Sequence, residues 1–155
     1  MKILKKLLIV LLIVFIVIQF FRPEKNLSDT IPATDFIAMT NPSPAIETTL
    51  RNACYDCHSN NTNYPWYNQI APVSFMIAEH VKDGKKHLNF SEWGTYSSKK
   101  KAHKLEELVE EVEEGHMPES SYTWMHAEAK LTKNQIEELN NWAKDLRFIY
   151  QINNE

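Results

Sequence analysis

The sequence predicts an all-α fold of about four helices. Three observations carry that expectation. Only three glycines occur in 155 residues, four stretches repeat apolar residues at helical spacing, and no stretch alternates apolar and polar residues as a half-buried strand does. The net charge of −3, with 24% charged and 43% hydrophobic residues, is ordinary globular usage and leaves no basic surface for a nucleic acid.

The first segment stands apart from the globule. Lys2, Lys5 and Lys6 precede an unbroken apolar run from Leu7 to Ile18, closed by Phe20 and Phe21 before Arg22-Pro23. As a helix, Leu7 to Phe21 spans roughly 22 Å, and counted from Ile3 it reaches roughly 28 Å. No small-residue cleavage site follows, and no cysteine closely follows for lipid attachment. The expectation is therefore residues 1–22 as a single transmembrane anchor in the cytoplasmic membrane, with the remainder on the periplasmic side. A cleaved signal that releases the chain to the periplasm is the alternative. Residues 23–42, with scattered Pro, Ser, Thr and Asn, read as a linker.

Residues 43–150 then form the folded domain. Ser43-Pro44 supplies an N-cap followed by proline at the first helical position. Ile46, Leu50 and Cys54 continue one face at i, i+4, i+8. Tyr64, Trp66 and Tyr67 surround Pro65 in a loop. Ala71-Pro72 opens a second helix whose face bears Val73, Met76, Ile77, His80 and Val81, and Gly84 reads as its end. Residues 88–96 look irregular, anchored by Phe90, Trp93 and Tyr96. Ser97-Ser98 caps a third helix with Leu105, Leu108, Val109 and Val112 inward, stopped by Gly115. Thr132 and Gln135 form a capping box for the last helix, whose inner face holds Ile136, Leu139, Trp142, Ala143 and Leu146.

Both cysteines of the chain lie in the stretch C-Y-D-C-H at residues 54–58. A redox dithiol sits at a helix start after a buried strand, where the dipole lowers a thiol pKa. Here the pair ends a helical pattern, with no strand nearby. Structural zinc takes four ligands, and Cys54, Cys57 and His58 supply three at most. A covalently attached haem uses all three. Two thiols one turn apart add across the vinyl groups of one porphyrin edge, and the adjoining imidazole reaches the iron. An exported compartment, where free thiols otherwise oxidise, fits that attachment.

The stretch from Cys54 to Tyr67, together with Ile70-Ala71-Pro72-Val73-Ser74, Leu88-Asn89-Phe90-Ser91-Glu92-Trp93, Met117-Pro118 and the block from Tyr122 to Thr132, resembles the bacterial haem-binding-domain family related to c-type cytochromes. The match covers roughly Asn52 to Ala143. It implies a small cytochrome c-like domain around one haem c, Cys54 and Cys57 as thioether sites, and His58 as proximal ligand. For the opposite iron face, Met117 is the first candidate: it lies in a turn after the third helix, stiffened by Pro118, and a Met-Pro step recurs there in the family. His116 departs from the acidic residue the resemblance leads one to expect, and it competes as an imidazole, as do Met125, His126 and His80.

The function expected from this reading is one-electron transfer between redox proteins, with no bond-making catalysis. A haem-based sensor or peroxidase-like protein with an exchangeable sixth ligand is the alternative.

Overall fold

The computed structural model describes residues 2–152. Among the described residues all regular structure is helical. Eight α-helices follow in order: α1 (Lys2–Ile18), α2 (Phe36–Thr40), α3 (Pro44–Ala53), α4 (Tyr55–His58), α5 (Val73–His87), α6 (Ser98–Glu113), α7 (Ser120–Met125) and α8 (Lys133–Ile152), with 3-10 turns at Trp66–Gln69, Phe90–Thr95 and Ala127–Ala129. The four helices expected from periodicity are α3, α5, α6 and α8.

Local chemistry explains their limits. Ser43 accepts from the Ile46 amide at 3.4 Å, and Ser97 accepts from that of Lys100 at 3.3 Å. Thr132 and Gln135 cap each other reciprocally, at 2.9 and 3.3 Å. Gly115, at φ +74°, takes the left-handed conformation that ends α6 without a side-chain penalty. Helices α6 and α8 pack side by side, burying Leu105, Leu108, Val112, Leu139 and Ala143. At the centre, Phe36 stacks on Phe90 (4.9 Å), Phe90 on Tyr55 (5.0 Å), and Trp93 meets Phe36 edge-on at 4.5 Å.

Three expectations need correction. No helix among the described residues is long and apolar enough to cross a membrane, which overturns the N-terminal transmembrane helix. α1 has 17 residues, about 26 Å at 1.5 Å per residue, against a hydrocarbon core of about 30 Å. Its lysines occupy the first two turns. Gln19 is drawn out of the run, its side-chain amide exchanging hydrogen bonds with both backbone groups of Ala71 at 2.9 and 3.0 Å.

The stretch expected as a linker joins the globule. Asp35 and Phe36 are buried, and Asp35 caps α2 through the Ile37 amide. Asn26 donates to the Ser59 carbonyl and the Thr62 hydroxyl at 2.8 and 2.9 Å. Five-residue α2 is too short to show periodicity, so its role depends on tertiary contacts.

Gly84 does not end α5, which continues to His87. The glycine serves a close approach instead: a Cβ there would lie 2.7 Å from the Cys57 carbonyl oxygen and 3.1 Å from the Cys57 Cβ. Helix α5 therefore presses its backbone against the cysteine turn.

Candidate haem site

The cysteine turn begins where α3 ends. The Cys57 and His58 amides both donate to the Cys54 carbonyl, at 3.2 and 3.0 Å, so the two thiols leave one short turn. Both cysteines are free. Burial, followed by the field of Cys57, pushes the Cys54 thiol up to about 12, and burial, Asp56 and Glu119 push Cys57 up to about 11. Both stay protonated at neutral pH, the reverse of an activated redox dithiol. Zinc would require them as thiolates.

His58 is held from several sides. Its Nδ1 lies 3.0 Å from the Leu88 carbonyl oxygen; paired with an acceptor, that nitrogen is the protonated one and the donor. Desolvation holds the imidazole below its ordinary pKa, partly opposed by the carbonyls of Leu88 and Gly84. Phe90 meets the ring edge-on at 6.1 Å. An imidazole held through Nδ1 presents Nε2, with its lone pair, to a metal. The residue 88–91 turn is in turn fastened beside His58: Asn89 Nδ2 donates to Asn60 Oδ1 at 3.0 Å, and the Asn60 amide donates to Ser91 Oγ at 3.0 Å.

The cysteine turn is also held from behind. Tyr55, between Cys54 and Asp56 in the chain, donates to buried Asp35 at 2.8 Å. Tyr122 on α7 donates to Asp56 at 2.7 Å. Around this frame, large apolar side chains remain uncovered: Trp66, Ile70, Phe75 and Met76 before and on α5, and Trp124 and Met125 on α7.

A family model described as a haem-binding domain matches residues 13–145. The chain belongs to the haem-binding domain family. No curated protein and no solved structure matches it. The match includes the segment 23–42, whose Asp35, Phe36 and Ile37 are buried in the domain. Haem is accordingly the cofactor to test against the residues present, and they fit it. Two protonated thiols, an imidazole offering Nε2, and a wide uncovered apolar surface on neighbouring elements suit a flat macrocycle with an iron at its centre.

Among the candidates for the second iron face, the structure separates the environments. Met117 is half-buried, packed against the hydrophobic core, with its amide donating to Glu111 at 3.0 Å. Two residues on, the Glu119 carboxylate is near enough to act on both Cys57 and His58. His116 is exposed and turns to Glu111 and Glu114, at 3.4 and 3.3 Å. His126 uses both ring nitrogens, on Tyr67 at 2.7 Å and Glu128 at 3.2 Å. Met125 is exposed. His80 is exposed too, its Nδ1 facing Glu119 at 3.6 Å.

Sequence reasoning reached the motif but not its supports. Gly84, Asn89, Asp35 and the Leu88 carbonyl act through tertiary contacts that leave no spacing signal. Gly84 alone carried a cue, because glycine inside an otherwise helical pattern costs about 1 kcal/mol and so needs a packing reason.

Proposed function

We propose that this haem-binding protein is a monohaem c-type cytochrome that carries single electrons between redox proteins. Cys54 and Cys57 would hold the porphyrin as thioethers, and His58 Nε2 and Met117 Sδ would be the iron's protein ligands. The bound group supplies reversible one-electron iron chemistry. The observation that carries this reading is the His58 ring, tethered through Nδ1 beside two unpaired protonated thiols within a single turn. Met117 is supported because each alternative ligand is exposed or already engaged through its ring nitrogens.

The chain's residues then tune rather than react. The Leu88 carbonyl orients His58 and raises its basicity. With a macrocycle seated on them, the uncovered apolar side chains around the turn would keep water from it, which would disfavour extra charge on oxidised iron and raise the potential. Methionine ligation acts in the same direction. The protein makes and breaks no substrate bonds, and thioether formation would protect both cysteines from the oxidation that an exported compartment imposes on free thiols.

The test is expression in a host able to attach haem c. The expected product is red, keeps its haem through acid–acetone extraction, shows a methionine-to-iron absorption band when oxidised, and binds carbon monoxide slowly. Met117→Ala should abolish that band and lower the potential. A colourless protein with unmodified thiols refutes covalent attachment. Fast carbon monoxide binding by the untreated protein refutes the carrier and indicates an exchangeable sixth position, as in a sensor or peroxidase-like protein.

A further inference from the structure

We propose that Gly84 is a positioning residue for the His58 imidazole: it sets how closely the last turn of α5 approaches Cys57 and His58, and so the strength of the hydrogen bond that Nδ1 donates. The inference deepens the haem c reading. It rests on that reading for the iron's potential but not for the state of the ring.

The geometry is specific. A methyl group at position 84 would stand 2.7 Å from the Cys57 carbonyl oxygen, 3.1 Å from its Cβ and 3.2 Å from its carbonyl carbon, whereas ordinary contact begins at 3.4 Å. The obstacles are mostly backbone, in a turn fixed by hydrogen bonds to the Cys54 carbonyl, so no flexible side-chain tip can give way. The helix would have to retreat by about 0.7 Å to restore ordinary contact. The same helix end delivers the carbonyls that act on His58. The Leu88 amide donates to the Gly84 carbonyl at 2.9 Å, so residues 84 and 88 move together. A retreat of that size takes the 3.0 Å Nδ1 to Leu88 contact beyond the usual hydrogen-bond range.

The chemical consequence has a direction. A ligating imidazole that donates strongly through Nδ1 is more basic and favours oxidised iron; one that loses this bond donates less charge. Widening the approach should therefore raise the reduction potential. The sequence marks Gly84 only as a glycine within a helical pattern, and does not say which backbone it admits.

Gly94 provides a matched control. A Cβ there would lie 2.8 Å from Thr34 Cβ and Cγ2 and 2.9 Å from Met39 Sδ, none of them an atom of α5 or of the cysteine turn. Gly84→Ala and Gly94→Ala should both lower the melting temperature of the full chain. Only Gly84→Ala should raise the potential, alter the electron paramagnetic resonance anisotropy of the oxidised protein, and move the 15N signal of His58 Nδ1. The proposal is overturned if Gly84→Ala leaves the His58 signal as in the wild type, or if Gly94→Ala moves it equally.

If no haem attaches in a loading host, the cytochrome reading falls, and the 15N measurement on the chain as isolated still decides the role of Gly84. Where Gly84→Ala does not accumulate, the wild-type ring decides. Protonation at Nε2, or an Nδ1 proton that exchanges as fast as in free imidazole, overturns the assignment. A slowly exchanging Nδ1 proton supports it.

Discussion

Replacing Tyr55 with phenylalanine removes one oxygen from the middle of the cysteine turn. The ring still stacks on Phe90 at 5.0 Å, so packing is kept. The loss is the 2.8 Å bond from the phenol to Asp35, a carboxyl group only 2% exposed. The Ile37 amide, 3.2 Å from the same phenol oxygen, keeps its 3.0 Å bond to Asp35 and is not orphaned. A hydrogen bond to a charged group contributes about 1.5–3 kcal/mol, and the buried acceptor it leaves is poorly solvated. The expected cost of Tyr55→Phe is about 2–3 kcal/mol, or about 8 °C in melting temperature for a chain of this length. Asp35→Asn retains an acceptor for both donors and should cost under about 1 kcal/mol. Thermal unfolding followed by circular dichroism, with limited proteolysis of residues 23–42, reads both. The reasoning is refuted if Asp35→Asn costs as much as Tyr55→Phe, or if Tyr55→Phe leaves both melting and proteolysis unchanged.

Other perturbations follow from the same structure. Phe36→Ala deletes a ring in contact with Phe90, Trp93 and Trp142, and should cost about 3–5 kcal/mol by denaturant titration. In the haem-free chain, iodoacetamide should modify Cys57 at pH 8 about a hundredfold more slowly than a thiol at the reference value of 9.0, because its folded value is about 11. The unfolded chain releases that proton first, so stability present below pH 9 should be lost as pH rises through 11; melting curves across that interval check the sign. His126→Ala breaks the bonds to Tyr67 and Glu128 and should lower stability by about 1–2 kcal/mol. The absorption spectrum of the loaded protein should stay as in the wild type; a lost methionine band would refute the separation of His126 from the sixth position, because the methionine bond would then depend on it.

What the sequence discloses and what it hides divide along a physical line. Caps depend on residues three positions apart, so Ser43, Ser97 and the Thr132–Gln135 pair are legible, as are the apolar faces of α6 and α8. The cysteine turn is legible because its chemistry needs adjacent residues. Segments whose order comes from distant partners are not. Asp35 and Phe36 lie in a polar, proline-bearing stretch, yet Tyr55 and Phe90 bury them. Gly84 has the same local appearance whether it ends a helix or admits another backbone. The reach of the apolar N-terminal helix is not legible either, because composition shows where the run stops but not that Gln19 turns toward Ala71.

That turn of Gln19 has a mechanical consequence. Its amide grips both backbone groups of Ala71, and Arg22 reaches the Gln69 carbonyl, so α1 is clasped at its base to the residues that launch α5. Those hydrogen bonds tie an otherwise uncovered apolar helix to the domain at its C-terminal end. Torque on α1 would pass through residues 69–71 into the helix that braces His58.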